Sequence, residues 1–562
     1  MQSSGISRSR KLMATSSKKH NPDVLAEDKS PLMHTLCVEI KNGSALTDKT
    51  YLLSDLARKC GNILVHKLNN ELQQVQQTKK YKTIVKLIKN NNGNDRPYRA
   101  QLEELYAKHN LTKSYCEKTM TSIYNKINQG RKYKLPSVFA QSRADDIFLG
   151  LRKVLDNKKY DRVKSLHYLP FTKLPALKAK EIKRGIIISV KDGKLQCKFD
   201  GEILALDIKD QFIREEIDAI TKYLTNSQQI KDAAAKCNAI PRKKGEIVVP
   251  FSTYRPCFAS FLPKKMKGKK RLYLHICVEG VPVDKKDKNG NLRYKKGEGR
   301  CAFDLGTQHV AKDGDTGPFL ANLGDIDGSL EKGTKKEANL KRKITRSIQA
   351  TNPNNYNSNG TLKKGAHNRN VSKKCKRYKE MLRDRCRKDA ATRKTVNYTH
   401  VNVMSGDCSE VVTEDNNVRA WSARGKPSLL TNGQIGQIHR FGGTVINHCP
   451  GQVKARLLQK MRECGGHFYQ VPRDYRASQY DHTSDSYIKK TLSQRTFNLS
   501  DGTLVQRDWY SAFLLYCYDS STNSIDKVKC KKEFPKHYKK FLKYVAALKK
   551  KKIKIVNSGI KV

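Results

Sequence analysis

The sequence predicts a multidomain α+β protein, on three observations. Apolar residues recur at near-helical spacing through residues 56–165, short apolar runs bounded by turn signals replace them over 166–298, and short strands alternate with helical patterns from 299 onward. At 562 residues the chain has room for about three or four domains. A hydrophobic fraction of 37% is enough for packed cores and excludes a wholly disordered chain.

The N-terminal segment, residues 1–31, is basic and almost free of apolar periodicity, so it reads as disordered. Residues 35–40 read as a strand. Leu52, Leu53, Leu56, Ala57, Ile63, Leu64, Leu68, Leu72 and Val75 then follow a helical repeat. Further helices are predicted around Leu102, Leu105 and Leu111, around Ile123 and Ile127, and after Pro136 with Phe139, Ile147, Leu151 and Leu155 on the apolar face. The signal changes near residue 166. Residues 185–190 and 195–199 flank the turn Asp192-Gly193, a hairpin signature. Residues 246–251 and 271–278 are further strands, and 284–298 form a charged loop. Beyond it, 300–303 reads as a strand, 331–397 as a long basic stretch interrupted by Gly and Asn at 351–370, 410–413 as a strand, 453–461 as a helix and 466–471 as a strand.

Lys and Arg number 112 against 53 Asp and Glu, a net charge of +59. Such a charge repels itself unless a polyanion neutralises it, and nucleic acid is the natural partner because phosphate contacts dominate its affinities. Charge alone fits equally a ribosomal-type or chromatin-type binder with no chemistry. The longest apolar stretches, such as 512–518, are too short to cross a bilayer, and the N-terminus lacks the apolar core of a signal peptide. The 15 cysteines are scattered singly, which reads as reduced thiols of a cytosolic-type compartment; no Cys-x-x-Cys pair offers an ordinary zinc site.

Against this basic background three acids stand beside apolar runs: Asp304 after residues 301–303, Glu414 after Val411 and Val412, and Asp508 before Ala512, Phe513, Leu514 and Leu515. A carboxylate next to a buried element is costly without a partner, and divalent cations are such partners. Two-metal phosphodiester cleavage needs a cluster of hard oxygen ligands, so the arrangement points to a nuclease. The order Asp, Glu, Asp matches an RNase H-like fold, in which the first acid sits on the first central strand, the second follows a later parallel strand, and the third opens a helix beside them. An RNase H-like transposase orders its acids Asp, Asp, Glu.

Asp304-Leu305-Gly306, the run Val411 to Asp415, and Arg507-Asp508 followed by Ala512 together resemble the three RuvC motifs of TnpB and of its descendants, the type V CRISPR effectors. The resemblance extends to 443–464, which looks like the helix before the penultimate strand, and to 471–479, which looks like the approach to a zinc ribbon. It implies a RuvC nuclease domain over 299–476 and 506–562, a β-barrel-like wedge domain over 32–55 and 166–298, and a helical recognition lobe over 56–165. It also implies a degenerate zinc-ribbon-like lobe over 477–505 that binds target nucleic acid. By resemblance the protein is an RNA-guided DNA endonuclease of the prokaryotic cytoplasm, with a guide RNA, double-stranded target DNA and its displaced strand as partners. Asp304, Glu414 and Asp508 would hold two Mg²⁺ ions, with Mn²⁺ as a substitute. Where the family carries cysteine knuckles, 477–505 offers no thiol and one imidazole, His482, with Asp481, Asp485 and Asp501, so no structural zinc is expected. Tyr480, Tyr487, Ile488, Leu492, Phe497 and Leu499 are then left to hold that lobe. Lys341, Arg342, Lys376 and Arg377 are the candidate phosphate contacts in the basic stretch. A guide-dependent DNA-binding protein without cleavage is the remaining alternative.

Overall fold

A computed structural model of the chain describes residues 23–25, 31–91, 94–157, 164–227, 229, 232, 254–266, 268–284, 286–287, 289–292, 297–325, 329–365, 370–406, 408–422, 427–429, 435–437, 442–472, 475–491 and 493–561. The expected strand at 246–251 and nearly all of the basic N-terminus lie outside these residues. The chain divides into two compact units. One comprises 31–241 and 251–291; the other comprises 1–30, 242–250 and 292–562.

In the first unit, strand β1 (Met33–Ile40) leads into the 34-residue helix α1 (Ser44–Gln77). Leu53, Leu56, Ala57, Cys60, Leu64, Leu68, Leu72 and Val75 fall three or four apart and bury one stripe of α1. Leu52 and Ile63 fall off that stripe and are exposed. Thr78 ends α1 and opens α2 (Lys79–Asn90), its side chain accepting from the Tyr81 amide as an N-cap. Helices α3 (Arg99–Lys108), α4 (Lys113–Asn128) and α5 (Ser137–Leu155) follow, with α4 and α5 packed against α1.

The strands of this unit are β2 (Leu177–Lys178), β3 (Ile186–Lys191), β4 (Lys194–Phe199), β5 (Glu202–Ile203), β6 (Leu206–Asp207), β7 (Arg255–Met266) and β8 (Lys269–Glu279), with helix α6 (Gln211–Thr225) between β6 and β7. Asp192 and Gly193 join β3 to β4 with φ of 50° and 68°, the left-handed pair that a two-residue hairpin turn requires. The order β2-β7-β8-β1-β6 makes one five-stranded antiparallel sheet, and β3-β4-β5 make a three-stranded one. No strand pairing among the described residues closes them into a barrel. Helices and strands share a single hydrophobic cluster running from Leu36 to Val278. The segments that the sequence divides into a helical lobe and a β domain are therefore one unit.

An extended strap, residues 164–169, runs along α1 and is held by a ladder of amides. Asn69 exchanges two hydrogen bonds with the Leu166 backbone, at 3.0 and 2.7 Å. Asn62 does the same with Leu169, both at 2.9 Å, and Gln76 donates to the Lys164 carbonyl at 3.0 Å. The three amides recur every seventh residue and so lie on one face of α1. Two-point pairing of a side-chain amide with a backbone unit satisfies both groups of a strand that has no sheet neighbour.

The second unit is built on the sheet β11-β10-β9-β12-β13. Its strands are β9 (Gly299–Leu305), β10 (His309–Gly314), β11 (Phe319–Asn322), β12 (Cys408–Glu414) and β13 (His467–Val471). β10 is antiparallel to β9 and β11, whereas β9, β12 and β13 run parallel. The basic stretch between β11 and β12 is a helical hairpin, α7 (Ser329–Thr351) and α8 (Lys373–Ser405). The helix expected around 443–464 is broken: residues 442–448 form a short turn of helix, Cys449 takes a positive φ of 50°, and Pro450 opens α9 (Pro450–Cys464). Two more helices, α10 (Arg507–Tyr516) and α11 (Lys527–Lys550), complete the unit.

Both faces of this sheet are covered. Cys301, Phe303, Val310, Val411 and Phe468 pack with Val401 and Met404 of α8 and Val453, Leu457 and Met461 of α9. Ala302, Ala311, Leu320, Val412 and Val471 pack with α10 and α11 on the other side. Every residue of α10 from Asp508 to Tyr516 is buried, and Trp509 stacks on Phe541 of α11 with centroids 4.1 Å apart and rings 11° from parallel. Residues 477–505 do not stand apart from this core. Tyr480, Phe497 and Leu499 are buried within the α10 cluster, Tyr487 and Ile488 are exposed, and Leu492 lies outside the described residues. Tyr480 and Tyr487 are cross-strand partners on one face of a short two-strand ribbon, their ring centroids 5.2 Å apart, and Tyr487 forms the exposed outer side of that contact.

Replacing Asn69 with Ala should cut the strap locally. Hydrogen exchange of the Leu166 amide should rise sharply while that of Leu169, held by Asn62, stays slow, with a stability loss of about 1–3 kcal/mol for the unpaired backbone groups. Equal protection of Leu166 in both proteins would show that packing alone holds the strap.

Candidate active site

The three acids come from three elements of the second unit. β9 and β12 are parallel neighbours, with Ala302 opposite Val412 and Phe303 opposite Thr413, so Asp304 and Glu414 stand level one residue further on. Ala302 and Val412 face α10, and side chains alternate along a strand, so Asp304 and Glu414 point to the same face. Asp304 lies inside β9 rather than past its end. Asp508 is the second residue of α10, whose N-cap Gln506 accepts from the Trp509 amide at 2.6 Å.

Asp508 is buried, and both carboxylate oxygens are engaged. Oδ1 accepts from Arg507 Nε at 3.1 Å and Nη2 at 3.0 Å; Oδ2 pairs with His309 Nε2 at 2.8 Å and accepts from Gln506 Nε2 at 3.2 Å. Burial by itself raises its carboxyl, but the hydrogen bond and charge of His309, together with Arg507, prevail and hold it at about 2. Its place in the first turn of a helix favours the anion further. Asp304 shows the opposite balance. Burial, then the charges of Glu414 and Asp508, push its carboxyl well above the usual range. Burial also raises Glu414, against the pull of Asn416 and of Lys454, whose ammonium donates to the Glu414 carbonyl at 3.4 Å and pairs with Asp415 at 3.6 Å.

Three carboxylates on one face, repelling one another in a poorly solvated place, form a donor set suited to hard divalent cations. Among the described residues, however, no three carboxylate, imidazole or thiol side chains close into a ready-made cation cage. At Asp508 both carboxylate oxygens are already engaged by His309, Arg507 and Gln506.

The basic candidates lie elsewhere. Lys341 and Arg342 on α7, and Lys376 and Arg377 on α8, are all exposed. Lys341 pairs with Glu337 at 3.5 Å and Arg342 donates to Asn339 at 2.7 Å. Ser347 meets Ser372 at 3.1 Å and Lys343 lies over the Tyr378 ring at 5.8 Å, so the antiparallel helices bring the four cations to one stretch of the hairpin. At about 1.5 Å rise per residue, Lys376 is roughly 35–40 Å along α8 from Val401, where that helix meets the sheet. The hairpin ridge and the carboxylates are thus separate features.

His309 and Lys454 escaped the sequence reading. His309 opens β10, directly after the turn that starts at Gly306. A Cβ on Gly306 would meet the His309 carbonyl oxygen at 2.9 Å, and the Gly306 amide donates to that same oxygen at 3.0 Å. The glycine of Asp304-Leu305-Gly306 therefore permits the tight turn that delivers His309 to Asp508. A histidine three residues beyond an Asp-x-Gly is the signal that could have marked it.

No family model matches the chain, and no curated protein matches it. Among solved structures, a cryo-EM structure of a Cas12f1–sgRNA–target DNA complex matches with a TM-score of 0.42 at 12% sequence identity, over 86% of this chain and 98% of that one. No helix among the described residues is long and apolar enough to cross a membrane.

The two aspartates affect stability in opposite directions with pH. The lowered carboxyl of Asp508 stabilises the fold above the ordinary carboxylate range, and that contribution is lost as pH falls toward 2. The raised carboxyl of Asp304 favours the fold while protonated and costs stability as pH rises through its folded value. Asp304→Asn should therefore raise thermal stability at pH 8 without divalent cations, on the order of 1–3 kcal/mol, the range for relieving an uncompensated buried charge. The gain should shrink near pH 4, where the carboxyl and the amide are alike. Thermal melts at the two pH values check this; a destabilised variant at pH 8 would mean that a cation of the protein already compensates Asp304.

Proposed function

We propose that the chain is an RNA-guided DNA endonuclease of the RuvC type. The observation that carries this reading is the convergence of Asp304, Glu414 and Asp508 from β9, β12 and the start of α10 on one face of a parallel strand pair. The RNase H-like reading asks for the same placement: a first central strand, a later parallel strand and a helix beside them. The order Asp, Glu, Asp speaks against a transposase.

Asp304, Glu414 and Asp508 are the residues that would hold Mg²⁺, with Mn²⁺ as a substitute. Two such ions would activate water and stabilise the leaving 3′ oxygen. The protein's own groups set the conditions. β9 and β12 fix Asp304 and Glu414 level with each other, Lys454 tempers the charge at Glu414, and His309 with Arg507 keeps Asp508 ionised and oriented. In this reading the helical hairpin and its cations follow the phosphate backbone, while base pairing with a guide reads the target sequence.

One specific observation favours guide-dependent binding without cleavage. Both oxygens of Asp508 are committed to protein donors, so loading a cation costs an ion pair. Sequencing the RNA that copurifies with the protein tests the shared premise, and strand cleavage in Mg²⁺ decides between the two.

Alanine at Asp304, Glu414 or Asp508 should each lower cleavage by about 10³-fold or more while sparing guided DNA binding, as expected for groups acting as one unit. Near-wild-type cleavage by Asp508→Ala would remove that residue from the site. Charge reversal at Lys341, Arg342, Lys376 and Arg377 should weaken binding across all sequences and lower the salt slope by about one per lost phosphate contact. An unchanged salt slope would make the hairpin ridge a solvated surface.

The reading also holds that residues 477–505 fold without structural zinc. His482 Nδ1 is engaged by the Tyr510 hydroxyl at 2.8 Å, and Asp481 accepts from Thr483 and Ser500. These contacts engage Asp481 and one nitrogen of the imidazole, and the segment has no thiol to complete a zinc set. Elemental analysis is the check: about one equivalent of tightly bound zinc, lost on His482→Ala, would overturn the assignment.

A further inference from the structure

The first unit contains a cavity of about 560 Å³ between α1, α5 and the strap, within the roughly 300–1,000 Å³ of small-molecule sites. Part of the lining is cationic: Arg143 and Lys153 of α5 and Lys164 and His167 of the strap line the cavity, and Asp146 is the carboxylate among the lining residues. Val65, Ile147 and Leu166 are apolar lining residues.

The way Arg143 is seated marks this as a built feature. Its side chain lies across α1 at Gly61, where a Cβ would stand 2.8 Å from Arg143 Nε and 3.3 Å from Ile147 Cδ1. A glycine in the middle of a long helix weakens it, and here that residue makes room for a guanidinium. Arg143 Nε is buried with no hydrogen-bond acceptor among the described residues. Burial also pulls Arg143 down despite Asp146, and pulls Lys164 down to about 8 despite Asp95 and Asp156. An anion entering the cavity would stabilise the charged forms that burial disfavours. The amide ladder of α1 fixes the strap that carries Lys164 and His167, so that part of the lining is preorganised.

A ligand matching both kinds of lining group carries a compact anion and an apolar body. We propose that this cavity binds a nucleoside monophosphate unit, its phosphate on Arg143, Lys153 and Lys164 and its base against Val65, Ile147 and Leu166. The unit is either a free nucleotide or the 5′ end of a nucleic-acid strand. No residue of the carboxylate site takes part, so this assignment and the nuclease reading fail independently.

The test is calorimetry on the full-length protein stripped of copurifying nucleic acid, titrated with a free 5′-nucleotide and with 5′-phosphorylated and 5′-hydroxyl trinucleotides. Phosphorylated ligands should bind about tenfold tighter than the hydroxyl form, and Lys153→Glu should remove most of that preference. Gly61→Ala should weaken binding by displacing Arg143 without changing any charge, and Arg143→Gln should do so directly. Lys153 is exposed, so its variant remains informative if a change at Arg143 disturbs folding. Equal affinity for nucleotide and trinucleotide assigns the free ligand, and tighter binding of the trinucleotide assigns a strand end. Absence of a phosphate preference, or a Lys153→Glu effect below about twofold, overturns the proposal.

Discussion

One compensated charge holds the second unit together. Helix α10 is buried on all sides, yet its second residue is an ionised carboxylate. Stripping such a group of water costs several kcal/mol unless hydrogen bonds and opposite charge replace it. His309, Arg507, Gln506 and the first turn of the helix supply that replacement together. Each depends on another element: His309 on the tight turn at Gly306, Gln506 on its cap of α10, and Arg507 on the chain entering from residues 491–495. The sheet, the helix and the return of the C-terminal segment, where Gln506 also donates to the Ser558 carbonyl at 3.1 Å, are tied at this point.

The same compensation sets up a conflict. A charge that the protein neutralises for itself is a weaker ligand for anything else. Asp304 is the reverse: burial and the charges of Glu414 and Asp508 outweigh the pull of Ser511 and Arg507, so it gains from an arriving cation. The cluster is therefore asymmetric. One carboxylate is satisfied and oriented in advance, and another is held at high energy.

Much of the architecture is legible in the sequence because it rests on local pattern. The stripe of α1, the Asp192-Gly193 hairpin, the strands ahead of Asp304 and Glu414, and the apolar run after Asp508 are each set by a spacing of two or three to four residues. What the sequence hid is set by contacts between distant segments. His309 and Lys454 meet the acids only through strand pairing and the packing of α9. The strap reads as an irregular segment because its partners are side chains, not another strand. The misjudged cases have physical causes as well. Cys449 and Pro450 break the helix that the resemblance implies over 443–464, and Tyr480, Phe497 and Leu499 join a core already formed by α10 instead of building one of their own.

The amide ladder of α1 works as a vernier between two periodicities. Seven helical residues advance about 10.5 Å, and three extended residues advance about 10 Å, so Asn62 and Asn69 meet Leu169 and Leu166 in step. Between Gln76 and Lys164 only two strap residues are available, and the extra methylene of Gln over Asn takes up the difference. Inserting one residue into α1 between these positions would swing the next amide by about 100° off the strap. The distance from Asn62 to Gln76 is therefore fixed in whole heptads, and that stretch of α1 can change its exposed side chains but not its length.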